Sequence, residues 1–128
     1  MFAYRKSSNV GNAPEILQIP ATAAESYAVG ETLHLSSGAV TKASGTVAPE
    51  YICAEKKTAK AGDTVSCYLV EHNQEYETIT SADGTLTVGV KYTIASDGLK
   101  VTATSTSGVA EVVSVAGTTS GSKAIVRF

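Results

Sequence analysis

Two stretches of this chain repeat one order of residue types: YAVGETLHLSSGAVTKASGTVAPEYICA at residues 27–54 and LTVGVKYTIASDGLKVTATSTSGVAEVVSVA at residues 86–116. Each begins near a Val-Gly pair, continues with alternating polar and apolar residues, and passes through a glycine into a Ser- and Thr-rich segment. Val29 aligns with Val88 near the start of the copies, and Glu50 aligns with Glu111 towards their ends. The sequence therefore predicts a domain made of a duplicated unit.

Each copy shows the period-two alternation that is typical of half-buried β-strands. Each is predicted to be a four-stranded meander, because glycine-containing turn signals separate four short β-prone segments. The first copy has strands at residues 32–36, 39–42, 51–56 and 64–70, and the second at 91–95, 100–104, 110–115 and 124–128. One more short strand is predicted at 77–80, in the segment that joins the copies. Asp97-Gly98 is the clearest tight turn, since glycine accepts the positive φ of a type I′ hairpin.

These patterns predict an all-β fold in which two similar four-stranded meanders pack as a compact barrel-like or sandwich-like body. Residues 27–128 are expected to form a single β domain from two repeats, 27–70 and 86–128. At 128 residues the chain is long enough to bury a substantial core.

Residues 1–26 have no regular period and are predicted to form an extended N-terminal arm. Its apolar side chains require a surface to lie on, which is either the body or another protein. The predicted contact residues of the arm are Phe2, Tyr4, Arg5, Lys6, Ile16, Leu17 and Ile19. Deleting residues 1–20 is expected to leave the β body folded.

Composition argues against several functional classes. The net charge of −2 provides no basic patch for nucleic acid, and no 18-residue apolar run predicts a membrane span. No signal peptide pattern opens the chain. We expect no nucleic-acid partner and no membrane partner.

No motif predicts enzymatic chemistry, and we expect no catalytic residue, no metal site and no cofactor. His34 and His72 are the only histidines, and neither lies in a catalytic motif. The segment GTTSGSK at 117–123 lacks the spacing of a phosphate-binding loop. Asp83 and Asp97 introduce turns with too few carboxylates for a calcium loop.

Cys53 and Cys67 are the only cysteines, and they lack the spacing of a zinc or redox motif. Both fall in predicted strands, so we expect free buried thiols, with a disulfide as the alternative. The six tyrosines leave open a carbohydrate-binding face, although no tryptophan is present for stacking.

The run from Tyr27 through the segments PEY, AGD and EYETIT to the ending VAGTTSGSKAIVRF resembles the small head decoration proteins of tailed bacteriophages, also called capsid cement or auxiliary proteins. The resemblance covers about residues 27–128. It depends on the pattern of Val-Gly, Pro-Glu-Tyr, Ala-Gly-Asp and Gly-Ser-Lys turns.

This resemblance implies a structural virion protein that binds the outer surface of the expanded capsid and stabilises it. The implied partner is the major capsid protein, with a homotrimer on the shell, an N-terminal arm over neighbouring capsid subunits, and a location on the capsid exterior after synthesis in the host cytoplasm. The alternative function is a phage tail, fibre or baseplate β-module, or a carbohydrate-binding surface domain.

Overall fold

The computed structural model describes residues 1–7 and 14–128, and these residues form β-strands and turns without a helix. The strands, in chain order, are β1 Ala3–Ser7, β2 Ile16–Pro20, β3 Ser26–Tyr27, β4 Thr32–Ser36, β5 Ala39–Lys42, β6 Tyr51–Cys53, β7 Lys57–Thr58, β8 Thr64–Leu69, β9 Gln74–Ile79, β10 Lys91–Tyr92, β11 Ala110–Val115 and β12 Lys123–Arg127.

Antiparallel pairing joins these strands into three sheets. Sheet I has the order β2-β8-β6-β4-β5, sheet II has the order β1-β9-β12-β11-β10, and β3 pairs with β7. The sheets pack together as a sandwich-like body, and they do not form a closed barrel. The predicted all-β fold is confirmed.

Sheets I and II share a pairing pattern. Cys53 pairs with Cys67 in sheet I, and Val112 pairs with Val126 in sheet II. This correspondence places Cys53 over Val112, whereas the sequence alignment that matched Glu50 to Glu111 places it over Ser114, two positions further on. Because β11 has a bulge between Val112 and Ser114, the sequence alignment sets the buried Cys53 against the exposed Ser114, and it is wrong at this position.

Parallel bridges repeat between the two halves as well. The bridge from Ala21 to Val40 has a counterpart in the bridge from Thr80 to Val101. In each case the residue that directly follows a strand, β2 or β9, bridges to a fully buried valine. The duplication is therefore visible in the backbone pairing and not only in the order of residue types.

Each sheet covers a core of its own. The core of sheet I consists of Tyr27, Leu33, Val40, Cys53, Ala59, Val65 and Cys67. The core of sheet II consists of Tyr76, Leu86, Tyr92, Ile94, Val101, Ala110, Val112, Ala124 and Val126, and it also receives Phe2 and Ile52. Ile52 and Cys53 are neighbours on β6, so their side chains enter different cores.

The hairpin turns differ from expectation in one respect. Ser37 and Gly38 both have positive φ, at 52° and 83°, and they form the two-residue loop between Ser36 and Ala39. This is the type I′ geometry. In the Asp97-Gly98 turn only Gly98 has positive φ, and the Asp97 carboxylate accepts a hydrogen bond from the Leu99 N–H at 2.9 Å. The side-chain acceptor therefore stabilises a wider loop there, and the I′ prediction at this position was wrong.

The predicted strand at 100–104 is reduced to bridges at Val101. Hydrogen bonds from Thr93 N–H to Thr104 O and from Thr102 N–H to Thr93 O still hold this segment beside the Thr93–Ile94 backbone. The side chains of Thr93 and Thr102 also bond to each other at 2.6 Å. Short β-bridging thus replaces a regular ladder.

The N-terminal segment belongs to the body rather than lying apart from it. β1 forms an edge of sheet II by pairing with β9, and β2 forms an edge of sheet I by pairing with β8. Phe2 is 1% exposed and lies in the core of sheet II. Of the two surfaces left open by the sequence, the described part of the segment uses the body of its own chain. Residues 8–13 of the predicted arm lie outside the described residues.

Candidate functional site

An apolar groove opens beside the N-terminal strands, with a cavity volume of about 440 Å³. Its lining residues are Met1, Phe2, Ala3, Tyr4, Pro14, Ile16, Val29, Gly30, Cys53 and Tyr68. Met1 and Ile16 are each 56% exposed and Val29 is 48% exposed, so three apolar side chains face solvent around one depression. Clustered exposed apolar side chains are typical of interaction sites, whereas single ones are ordinary.

The Val29-Gly30 turn positions the N-terminal residues along this groove. The Phe2 N–H donates to Gly30 O at 2.8 Å, and the Gly30 N–H donates to Cys53 O at 2.8 Å. Gly30 has a φ of 77°, and a Cβ there would lie 2.6 Å from Met1 Cγ. Glycine is therefore required both for the backbone conformation and for the close approach of Met1.

A buried ion pair supports the same turn. Glu31 is 2% exposed, and its carboxylate accepts a hydrogen bond from the Ala28 N–H at 2.8 Å. The other carboxylate oxygen lies 3.0 Å from Lys42 Nζ. Because both oxygens have partners, the charge of Glu31 is satisfied within the fold, and the groove rim is held to sheet I.

Phe2 and Tyr4 form the floor of the groove on its sheet II side, and Phe128 and Tyr76 pack behind them. The rings of Phe2 and Phe128 meet edge to face with centroids 5.4 Å apart, and Tyr4 meets Tyr76 in the same way at 6.2 Å. The Tyr76 hydroxyl donates to Gln74 Oε1, and burial raises the pKa of Tyr76 well above its usual range. This floor is a fixed part of the core, while the rim is exposed.

The outer face of sheet II has the opposite character. Pairs of opposite charge join neighbouring strands: Lys6 with Glu75 at 3.5 Å, Lys123 with Glu77 at 3.1 Å and Arg127 with Glu111 at 2.8 Å. The same strands turn Tyr76, Ala124, Val126 and Val112 inward. This face presents paired charges to water, and such exposed pairs contribute little stability individually.

The predicted arm residues divide between core and surface. Phe2 is buried in its own chain, so its assignment as a contact with a partner was wrong; the aromatic pairing with Phe128 uses its surface. Leu17 and Ile19 are partly buried. Lys6 already pairs with Glu75 of the same chain. Ile16 and Tyr4 line the groove, and Arg5 is exposed beside it on β1.

Sequence reasoning missed Met1, Pro14, Val29 and Tyr68 as groove residues. In β2, exposed and partly buried positions alternate along ILQIP at 16–20, but the adjacent apolar residues Ile16 and Leu17 hide this alternation in the sequence. The segment is short and lies outside the repeats, so the sequence alone predicts an irregular arm there.

The remaining candidates for chemistry are dispersed. His34 Nδ1 lies 3.2 Å from Leu35 O and His72 Nδ1 lies 2.8 Å from Phe128 O, so each ring contacts a backbone carbonyl. Within residues 1–7 and 14–128, no group of three or more His, Cys, Asp or Glu side chains is placed to hold a metal ion. Tyr27, Tyr76 and Tyr92 are core residues, which removes three of the six tyrosines from any surface for sugar stacking.

Burial of Cys53 and Cys67 is confirmed, at 1% and 0% exposure. Burial raises the pKa of the Cys53 thiol to about 11 and that of the Cys67 thiol to about 12. The Cys53 thiol donates to Glu55 O at 2.9 Å, and the Cys67 thiol contacts Val65 O at 3.6 Å. Both groups are neutral at physiological pH and pack as small apolar side chains.

We expect these thiols to make the protein less stable in alkali. In the unfolded chain the two thiols lose their protons near pH 9, the ordinary pKa of a cysteine thiol. In the folded chain they keep these protons until about pH 11 to 12. Stability therefore falls as pH rises through this window, because the folded state binds more protons than the unfolded state. Urea unfolding of wild type and of a double Cys53→Val, Cys67→Val variant at pH 8 and pH 10.5 measures the effect. The variant should lose less stability between the two pH values; an equal loss would contradict the assignment.

Comparison with protein-family models, with curated proteins and with solved structures gave no match. In the described residues, no helix is long and apolar enough to cross a membrane.

Proposed function

We propose that this protein is a head decoration protein of a tailed bacteriophage, which binds the outer surface of the expanded capsid and stabilises it. The observation that carries the proposal is the contrast between two surfaces: an apolar groove beside the N-terminal strands and an ion-paired outer face on sheet II. The turn pattern that resembles decoration proteins supports it as well.

In this proposal the groove faces the major capsid protein. Met1, Ile16 and Val29 supply apolar side chains for burial, and full burial of such a side chain is worth about 1.5–3 kcal/mol. Arg5, exposed on the neighbouring strand, provides a charge for an acidic group on the shell. The ion-paired face of sheet II remains in water.

Contacts of this modest size are sufficient for stable attachment to the capsid when several of them act together. A homotrimer at a three-fold position of the shell engages several capsid subunits at once, and linked sites multiply weak affinities. Binding to the expanded lattice alone stabilises that lattice by mass action. The protein then acts as a brace on the capsid exterior of the virion.

The test is binding to expanded, undecorated heads of the phage that encodes the protein, measured by co-sedimentation. Wild type should saturate at a fixed number of copies per head. Val29→Glu places a charge on the groove rim and should weaken binding at least about tenfold. A tenfold change in Kd corresponds to about 1.4 kcal/mol of binding free energy. Thermal melting of the free variant should be unchanged, because Val29 is 48% exposed.

Val88→Glu is the matched control. Val88 occupies the equivalent Val-Gly turn of the second repeat, is 62% exposed, and does not line the groove. It should bind as wild type does. Equal weakening by both variants would show that the groove is not the contact, and absence of wild-type binding to heads would favour a tail, fibre or carbohydrate-binding module instead.

A further inference from the structure

The two cysteines face each other across the centre of sheet I. Cys53 on β6 pairs with Cys67 on β8. The Ala54 N–H donates to Ser66 O at 2.8 Å and the Val70 N–H donates to Glu50 O at 2.9 Å. Because hydrogen-bonded and non-hydrogen-bonded pairs alternate along an antiparallel ladder, Cys53 and Cys67 form a non-hydrogen-bonded pair.

Such pairs bring the two strands closest together. Their Cα atoms lie about 4.5 Å apart, which falls within the range of about 4.4–6.8 Å for Cα atoms joined by a disulfide. Both side chains point into the core of sheet I. The strand register therefore already suits a covalent link, and no change of backbone pairing is needed to form one.

The equivalent position in sheet II shows what the fold requires there. Val112 pairs with Val126, and both valines are fully buried. An apolar pair of similar size is thus sufficient for packing at this position. The two sheets differ in that the pair in sheet I carries sulfur atoms.

Only one of the two cysteines borders the apolar groove, which opens to solvent. Cys53 lines this groove, whereas Cys67 does not. A small neutral oxidant in the groove is therefore nearer to Cys53, which is 1% exposed, than to Cys67, which is 0% exposed and serves as the second thiol.

From this arrangement we propose that Cys53 and Cys67 form a cross-strand disulfide when a peroxide oxidises the folded protein. The Cys53 sulfur attacks one peroxide oxygen, the O–O bond breaks, and the departing oxygen leaves as water with the Cys53 thiol proton, which gives a sulfenic acid at Cys53. The Cys67 sulfur then attacks the Cys53 sulfur, the S–O bond breaks, and the oxygen leaves as water with the Cys67 proton. With hydrogen peroxide, two thiols and one peroxide give one disulfide and two waters. This inference is independent of the proposed function.

Peptide mapping tests the proposal directly. The folded protein is incubated with hydrogen peroxide, its remaining thiols are alkylated in denaturant, and trypsin is added. Cleavage after Lys56, Lys57 and Lys60 separates the two cysteines, so a disulfide appears as two linked peptides that reductant releases. We expect this linked pair as the main oxidised product of the monomer, together with a higher melting temperature than that of the reduced protein.

Two single variants separate the roles of the cysteines. With Cys67→Val, the Cys53 sulfenic acid has no resolving thiol and should be trapped by dimedone. With Cys53→Val, Cys67 should stay reduced for as long as the protein stays folded. Valine is the replacement because the Val112–Val126 pair shows that the fold accepts it.

Three results would overturn the proposal. Cysteines that stay reduced in folded wild type, while urea-unfolded protein is oxidised in the same time, show that the groove gives no access. Sulfinic acid at Cys53 without linked peptides shows that Cys67 does not resolve it. A link between two chains, seen as a dimer on a non-reducing gel, assigns the chemistry to another contact. The wild-type mapping decides these outcomes even where a variant folds poorly.

Discussion

Replacing Phe2 with alanine is expected to lower the free energy of unfolding by about 3–5 kcal/mol, the usual cost of truncating a buried phenylalanine. Phe2 is 1% exposed, packs edge to face on Phe128 at 5.4 Å, and lies in the core of sheet II. The truncation leaves a cavity beside β1, and it removes a core contact that helps to hold the N-terminal strand to the body. Urea unfolding measures the loss, provided that the free energy of unfolding falls with urea concentration at the same slope in wild type and variant.

Ile16→Ala is the control, since Ile16 is 56% exposed on β2 and its truncation should change stability by less than about 0.5 kcal/mol. Equal effects of the two variants would mean that Phe2 is not a core residue. The same structure reverses the expectation for deletion of residues 1–20. That deletion removes β1, β2 and Phe2 together, and the remainder should not fold to a stable body.

Gly108→Ala is the second change with a large expected effect. A Cβ at Gly108 would lie 2.3 Å from Lys91 O and 2.5 Å from Tyr92 N, and both atoms belong to the backbone of β10. Because the overlapping atoms of β10 belong to the backbone, rotation of a side chain cannot relieve the overlap. The adjacent Val109 N–H donates to Tyr92 O at 3.0 Å, so relief of the clash also disturbs the β10–β11 pair. We expect a loss of about 3 kcal/mol or more, at the upper end of overpacking costs.

Gly38→Ala separates steric overlap from backbone strain. Gly38 has a φ of 83°, but nothing lies within 4 Å of a Cβ placed there. Its replacement should cost only the strain of a left-handed residue, about 1–2 kcal/mol. Unfolding midpoints of the two variants provide the comparison. A smaller loss for Gly108→Ala than for Gly38→Ala would contradict the close packing of β10 against the turn that contains Gly108.

The parts of the fold that could be predicted from the sequence are those where local pattern and tertiary environment agree. The strands at 32–36, 39–42 and 110–115 have the predicted bounds, because alternation and turn signals mark both of their ends. β10 ends at Tyr92, and 100–104 has only bridges at Val101, because irregular hydrogen bonds of Thr93 with Thr102 and Thr104 replace a ladder there. A propensity for strand does not specify a complete ladder.

The N-terminal strands were missed for a different reason. β1 pairs with β9, which lies beyond the whole first repeat in the chain, and no local pattern reveals such a partner. The groove depends on that pairing, because β1 supplies Ala3 and Tyr4 to its wall. The sequence therefore shows that the segment contains several apolar residues, but only the three-dimensional pairing shows which of them face inward.

The contact between Phe2 and Phe128 has a consequence for how the chain folds during synthesis. β1 pairs with β9, and Phe2, just before β1, packs on a residue near the opposite end of the sequence. Long-range contacts of this kind close large loops and slow folding. Sheet I, apart from β2, has its strands within residues 32–69 and can form early. In contrast, β1 has no partner strand until residues 74–79 have emerged from the ribosome, and sheet II is complete only after residues 123–127 have followed. During that interval the N-terminal segment is an exposed apolar strand, so chaperone capture of the nascent chain should concentrate on residues 1–7.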